Sequence, residues 1–171
     1  MDEGQKLKII KYNKNLQNSI DIKLINYKFF TGNYIIYEQN GKGKEYNGYN
    51  DILVFEGEYI NKIRNGKGKE YYWDGKIIIF EGEYLNGKRN GKGKEFHEYT
   101  GQLLFEGEYL NGKRSGQGKE YNYNGLIEFE GEYLNGKRNG KGKEYNKKGL
   151  LIFDGVYLNG KKKEWKKVLL Q

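Results

Sequence analysis

The residues best suited to chemistry are paired glutamates, which recur four times with one residue between the partners. The pairs are Glu56/Glu58, Glu81/Glu83, Glu106/Glu108 and Glu130/Glu132. Two neighbouring carboxylates could act as a general acid and a general base. Each pair, however, is followed by a segment with lysines at matching positions, where cross-strand partners would stand. This recurrence favours solvated partners on a sheet surface over a catalytic pair.

Other chemical signatures are weak. The segment GKRNGKG at residues 87–93 resembles a phosphate-binding loop, but it has three residues between its glycines where that loop has four, and no Ser or Thr follows the lysine. His97 is the only histidine, and the chain has no cysteine. A Ser-His-Asp triad, a cysteine nucleophile and a thiolate metal site are therefore excluded. We predict no catalysis, no metal and no cofactor.

Arginine occupies a single register. The chain has 27 lysines and only four arginines, each nine residues after a recurring phenylalanine: Arg64, Arg89, Arg114 and Arg138. A guanidinium can stack on a ring or hold a carboxylate or phosphate with two hydrogen bonds. In one interpretation the arginines are structural: each guanidinium stacks on a tyrosine of the adjacent repeat or pairs with a glutamate of a strand. The other is a row of anion contacts beside Lys88, Lys113 and Lys137, which suits an extended surface such as an anionic membrane.

These residues belong to a repeat. The segment FEGEYLNGKRNGKGKEY at residues 129–145 recurs with small changes, and the copies begin 24 or 25 residues apart, at residues 30, 55, 80, 105, 129 and 153. A fixed period of this length is typical of stacked arrays. Within a copy, Phe129, Gly131 and Tyr133 alternate with Glu130 and Glu132, as on the two faces of a strand. A return strand is expected from Gly140.

The predicted hairpin pairs Tyr133 with Gly140, Glu132 with Lys141, Gly131 with Gly142 and Glu130 with Lys143. This register places opposite charges face to face. It also places two glycines opposite each other, which leaves a trough for aromatic rings. We expect Phe129 and Tyr133 to fill such troughs.

The predicted fold is all-β: an elongated, single-layer antiparallel meander with two strands per repeat. Residues 1–29 are expected to form an N-terminal cap, with Ile20, Ile22 and Leu24 alternating as in a strand, and residues 30–160 to form the repeats. Residues 161–171 would be a short basic amphipathic tail, since Trp165, Val168 and Leu169 have the spacing of one helical face. The tail either caps the sheet or, through Lys161, Lys162 and Lys163, contacts a membrane or a partner.

The formal net charge of +8 lies at the two ends of the chain. Residues 1–29, 129–152 and 153–171 each carry +3, whereas the intervening repeats are close to neutral. Because glutamates are interleaved with the lysines, a nucleic-acid partner is disfavoured. The composition favours a cytoplasmic protein, with association to a membrane or to the cytoskeleton as a further expectation.

The recurring elements Phe-Glu-Gly-Glu-Tyr, Asn-Gly-Lys-Arg and Gly-x-Gly resemble the MORN repeat (membrane occupation and recognition nexus), from about Phe30 to Gly160. Where that family often has histidine before the second Gly-x-Gly, this chain has Asn65, Asn90, Ser115 and Asn139. The period and the linkers also resemble a variant repeat of bacterial antitoxin-like proteins. The resemblance implies a β-ribbon scaffold, some of whose relatives bind phosphoinositides while others dimerise and bind proteins.

We therefore expect a non-enzymatic scaffold that binds a protein partner or a second copy of itself, forming a homodimer. The contact aromatics would be Tyr59, Tyr84, Tyr109, Tyr133 and Tyr157, of which we expect Tyr84 and Tyr109 to be exposed. The alternative is a peripheral membrane module that binds anionic lipids through the arginine row, the adjacent lysines and the basic tail.

Overall fold

A computed structural model describes residues 25–28 and 32–166. These residues form a single thirteen-stranded sheet in which the strands neighbour one another in chain order. Each described strand pair is antiparallel, so the fold is the predicted all-β, single-layer meander. With about 4.8 Å between strands, the sheet is about 58 Å long. No helix in this part of the chain is long and apolar enough to cross a membrane.

The strand bounds follow the repeat. The first strands are β1 (Ile25–Lys28), β2 (Asn33–Tyr37) and, after a short 3₁₀ turn at Gln39–Gly41, β3 (Lys42–Asn47). The full-length hairpins are β4 (Leu53–Ile60) with β5 (Ile63–Tyr71), β6 (Ile78–Leu85) with β7 (Lys88–Phe96), β8 (Leu103–Leu110) with β9 (Lys113–Tyr121), and β10 (Ile127–Leu134) with β11 (Lys137–Tyr145). The last hairpin joins β12 (Leu151–Leu158) to β13 (Lys161–Lys166).

Part of the predicted hairpin register is confirmed. Glu130 lies opposite Lys143, and Gly131 lies opposite Gly142. The predicted pairing of Tyr133 with Gly140 is wrong within this hairpin, because Tyr133 lies opposite Arg138. The pairing of Glu132 with Lys141 is interrupted by the same shift in register.

The cause is a tighter turn than the sequence suggested. Asn135 and Gly136 form a two-residue turn with φ of 52° and 82°, the signature of a type I′ hairpin. The return strand therefore begins at Lys137, three residues earlier than expected. A bulge absorbs the additional residues, and Gly140 adopts a φ of 101° within it.

The core is one aromatic ring thick. The phenylalanines that open the repeats, Phe55, Phe80, Phe105, Phe129 and Phe153, are at most 1% exposed. A Cβ built on Gly118 would lie 2.4 Å from Cζ of Phe105 and 3.2 Å from Cε2 of Tyr133. The predicted trough is thus filled by rings: a phenylalanine covers the glycines of its own hairpin, and the tyrosine of the next repeat packs beside it.

The predictions for the N-terminal end are not tested by the described residues, whereas the predicted helical turn at the C-terminal end is wrong. The proposed strand residues Ile20, Ile22 and Leu24, and the first repeat start at Phe30, lie outside the described residues. At the other end Trp165 lies in strand β13, which pairs with β12. It therefore does not begin a helical turn, because the strand continues the sheet through Lys166. Val168 and Leu169 lie outside the described residues.

The β4–β5 hairpin offers a test of the turn geometry. At the second turn position the other full-length hairpins have glycine, as at Gly87, but here Lys62 adopts a φ of 67°. A left-handed conformation costs a residue with a side chain about 1 kcal/mol. We expect Lys62→Gly to raise the free energy of unfolding by about 1 kcal/mol in urea titrations.

The matched control is Gly87→Lys, which places lysine at the same position of the next hairpin. It should lower the stability by a similar amount. If neither substitution changes the urea midpoint, the turn conformation does not limit the stability of these hairpins.

Candidate functional site

All four arginines lie in a continuous row of ion pairs across the aromatic face. The row runs Glu45, Arg64, Glu70, Arg89, Glu95, Arg114, Glu120, Arg138, Glu144 and Lys162, and we call it the ion-pair ladder. Each arginine contacts a glutamate of the preceding repeat and one of its own repeat. Arg89, for example, lies 2.5 Å from Glu70 and 3.6 Å from Glu95. The ladder ties adjacent repeats to each other.

The same arginines cover the phenylalanine rings. The guanidinium carbons lie 4.0 to 4.2 Å from the ring centroids: Arg64 over Phe55, Arg89 over Phe80, Arg114 over Phe105, and Arg138 over Phe129. A cation at this distance from a ring face is attracted by the ring quadrupole. The observed arrangement is therefore close to the structural interpretation, with a phenylalanine as the ring partner where we expected a tyrosine.

Lys162 closes the ladder, a role that the sequence analysis missed. It stands nine residues after Phe153, as each arginine stands nine after its phenylalanine. Its Nζ lies 2.7 Å from Glu144 and 4.9 Å from the Phe153 ring centroid. The count of nine residues was the signal that could have identified it.

The electrostatics of the ladder favour the charged forms. Burial alone would raise the pKa of Glu70, but the hydrogen bonds and charge of Arg89 hold that pKa below its usual value. Glu95 behaves in the same way, with Arg114 as its main partner. Burial alone would lower the pKa of Arg89, but the hydrogen bond and the negative charge of Glu70 outweigh burial and raise that pKa. These groups remain ionised because they satisfy one another.

The predicted contact tyrosines are buried. Tyr84 is 3% exposed and Tyr109 is 4% exposed, and Tyr59, Tyr133 and Tyr157 lie within the same core. The expectation that Tyr84 and Tyr109 are exposed is therefore wrong. The Tyr84 ring packs edge to face against Phe55 at 5.0 Å and Phe80 at 5.7 Å, between two repeats. Homodimerisation stays a prediction, but this face presents arginines and glutamates to a partner, not rings.

The opposite face contains a groove of about 1270 Å³. Its floor is the backbone of paired glycines such as Gly82 and Gly93, whose missing side chains point toward the aromatic face. Its walls are glutamates and lysines that face each other across neighbouring strands, such as Glu81 opposite Lys94 and Lys94 opposite Glu106. The lining residues extend from Glu38 to Asp154, so the groove crosses the repeats continuously.

The hairpin turns form one long edge of the sheet, which we call the turn edge. Exposed Leu85, Leu110 and Leu134 each precede an Asn-Gly turn, and an exposed lysine follows it. These lysines are Lys88, Lys113 and Lys137, and Lys161 holds the same place after Leu158. Lys161 and Lys163 are exposed on β13. Of the predicted anion contacts, these lysines are thus accessible, while the arginines and Lys162 are engaged in the ladder. Anion binding by either group stays a prediction.

His97 has a local structural role. Its Nδ1 accepts hydrogen bonds from the backbone N–H groups of Tyr99 at 3.2 Å and Thr100 at 3.3 Å. Asn122 and Asn146 use their side-chain oxygens in the same way in later linkers. The described residues contain no group of three or more His, Cys, Asp or Glu side chains that could hold a metal ion.

The stabilising role of the ladder can be tested at its centre. Arg114→Gln removes the ion pairs to Glu95 and Glu120 and the contact with Phe105. The Arg114 side chain is 25% exposed, so solvent partly screens its ion pairs. We expect a loss of about 2 kcal/mol in the free energy of unfolding, measured by urea titration.

Lys113→Gln is the matched control, because it removes the adjacent but exposed positive charge. It should change the stability by less than about 0.5 kcal/mol. Equal effects of the two substitutions would show that the ladder contributes no more than a surface charge.

The MORN repeat matches at residues 55–76, 80–96, 105–127 and 129–150. No curated protein matches the chain. Among solved structures, a TarM mutant from S. aureus in complex with fondaparinux, α-GlcNAc-glycerol and UDP is 12% identical, with a TM-score of 0.39 over 77% of this chain. A second TarM structure is 10% identical, with a TM-score of 0.29 over 94% of this chain.

The chain spans only 22% and 26% of those two proteins. Their TM-scores are too low for the likeness to support an argument about fold or function. The four repeat matches are consecutive and coincide with hairpins β4 to β11, and three of them extend into the linker that follows. MORN repeats generally bind proteins or lipids. The chain is a MORN-repeat protein.

Proposed function

We propose that this chain is a non-enzymatic scaffold that binds an extended segment of another protein in the groove. The observation that carries the proposal is the continuity of the groove from Glu38 to Asp154. A groove with a backbone floor and no blocking side chain accepts a long, narrow occupant. An enzyme site would instead need a small set of polar groups gathered in one place.

The dimensions suit an extended polypeptide. From β3 to β12 the groove crosses nine inter-strand spacings, or about 43 Å. An extended chain advances about 3.3 Å per residue, so the groove accommodates about 13 residues. The occupant would lie across the strands, because the groove runs along the length of the sheet.

The charge of the groove points to the same class of partner. Nine lysines and nine carboxylates line it, so its net charge is zero. The two signs alternate from strand to strand, as in Glu81, Lys94 and Glu106. A polyanion such as a nucleic acid would meet a carboxylate beside every lysine. A polypeptide with both acidic and basic side chains can pair with both.

The test uses a displayed library of random 13-residue peptides, from which binders to the wild-type protein are selected. The double variant Glu83→Lys/Glu108→Lys reverses two wall charges at the centre of the groove. We expect it to weaken the selected peptides about tenfold or more, because it creates like-charge contacts with Lys67 and Lys92 as well as with the peptide. Affinity would be measured by fluorescence anisotropy.

The matched control is Glu128→Lys, an exposed glutamate that does not line the groove. It should leave the affinity within about twofold of wild type. A library that enriches no peptide, or binders that respond equally to both variants, would contradict the groove as the binding site.

A second candidate function is binding to an anionic membrane through the turn edge. The specific observation is the pairing of an exposed leucine with an exposed lysine at successive turns, as at Leu110 and Lys113. Surface binding to anionic lipid combines apolar contacts with basic residues. This candidate places the lipid contacts on the lysines of the turn edge, because the arginines are already paired.

Co-sedimentation with vesicles tests this candidate. If the turn edge binds membranes, wild type should sediment with phosphoinositide-containing vesicles at physiological salt and not with neutral ones. Lys88→Gln/Lys113→Gln/Lys137→Gln should then lose most of that binding, since each basic residue near the surface contributes about 1 kcal/mol. The Glu83→Lys/Glu108→Lys groove variant is the control and should sediment at least as well as wild type. Absence of binding at physiological salt would leave the protein scaffold as the function.

A further inference from the structure

The linkers between repeats form the edge of the sheet opposite the turn edge, and they carry a chain of contacting rings. The chain runs from Trp73 to Tyr72 at 6.0 Å between ring centroids, then to Tyr99 at 5.3 Å, to His97 at 5.8 Å and to Tyr123 at 5.9 Å. We call these five residues the aromatic chain. Neither the core nor the groove includes it.

The aromatic chain is unusually open to solvent. Trp73 is 69% exposed, Tyr99 is 65% exposed and Tyr123 is 72% exposed, in contrast to the core tyrosines. A contiguous exposed aromatic surface marks an interaction site more often than isolated exposed rings do. Trp and Tyr are also the residue types that contribute most to binding when a partner covers them.

Local hydrogen bonds order the backbone of the linkers that carry the rings. The Asp74 carboxylate accepts the backbone N–H of Lys76 at 2.9 Å and so fixes the loop that carries Trp73. The Gln102 side chain donates to the carbonyl of Tyr123 at 3.2 Å, which links one linker to the next. Such preorganisation reduces the entropic cost of binding.

The spacing between linkers matches the length of one turn of a polyproline II helix. Successive linkers are two strands apart, or about 9.6 Å, in a sheet with the usual strand separation. A polyproline II helix has three residues per turn and advances about 3.1 Å per residue, so one turn covers about 9.3 Å. The largely exposed rings Trp73, Tyr99 and Tyr123 stand one on each of three consecutive linkers, so we expect them to meet side chains about three residues apart on such a helix. We infer that the aromatic chain binds a proline-rich segment in the polyproline II conformation, with prolines at every third position.

The surrounding groups agree with this occupant. A polyproline II backbone leaves its carbonyls free as acceptors, and the indole N–H and tyrosine hydroxyls of the aromatic chain are donors. The carboxylates of Asp74 and Glu98 stand in the same two linkers as Trp73 and Tyr99, and Lys76 is the one lysine or arginine there. A basic residue flanking the prolines would complement this local charge. None of the 171 residues is proline, so the occupant is not a segment of this sequence.

The test uses a fluorescein-labelled peptide with one arginine followed by four Pro-Leu-Pro units, and fluorescence anisotropy as the readout. The comparison peptide has the same length and charge but is built from glycine and serine. We expect the proline-rich peptide to bind at least about tenfold more tightly than the comparison peptide. Trp73→Ala and Tyr123→Ala should each weaken its binding about tenfold or more, because both rings are largely exposed and available to the peptide.

Two control variants separate this site from the others. Leu85→Ala removes an exposed apolar side chain from the turn edge, and Glu83→Lys/Glu108→Lys alters the groove. Both should bind the proline-rich peptide within about twofold of wild type. Circular dichroism of each variant verifies that the sheet is intact.

Three results would overturn the inference: equal binding of the glycine-serine peptide, equal loss in the control variants, or preferential binding of an oligothymidylate, which would make the rings a base-stacking surface. The groove proposal is tested with other peptides and with variants of other residues. Either proposal can therefore be contradicted while the other stands.

Discussion

The structure depends on the contact between a phenylalanine ring and two glycines that face each other across a hairpin. A Cβ on Gly131 would lie 2.6 Å from Cα of Gly142 and 2.9 Å from Cζ of Phe129. With hydrogen in that place, the Phe129 ring lies directly on the backbone and is fully buried in a sheet one layer thick. A single layer cannot otherwise exclude water from a large apolar side chain, because within the described residues no second sheet or helix covers it.

The ion-pair ladder follows from this packing. Rings that lie on the backbone still need a cover on their outer side, and a planar guanidinium at about 4 Å provides one while it keeps its hydrogen-bonding edge free. The glutamates then satisfy that edge, as Glu70 does for Arg89. The aromatic face is thereby closed by charged groups that are already paired. Among the described residues, the groove, the turn edge and the linker edge are the surfaces on which we propose binding.

The sequence predicted much of this arrangement because repetition makes the pattern explicit. The period predicted two strands per repeat, and the alternation within FEGEY predicted which residues share a face. Charge complementarity predicted the pairing of Glu130 with Lys143. The bulge at Gly140 escaped prediction, because a two-residue turn and a longer loop are compatible with the same alternation. The burial of Tyr84 also escaped it. The pattern assigns a residue to a face, but it does not reveal that the phenylalanine of the preceding repeat and an arginine cover Tyr84 on that face.

The aromatic chain escaped prediction for a different reason, and that reason bears on function. Residues that recur in the four full-length hairpins, such as the phenylalanine, the glycines and the arginine, are those on which stacking depends. The linker positions differ from repeat to repeat, with Trp73, Glu98, Tyr123 and Lys147 each following the first residue of a linker. Stacking therefore imposes little on them, and a sheet built only to stack would gain nothing by exposing Trp73 to solvent. The positions that break the repeat are where the array can distinguish one partner from another.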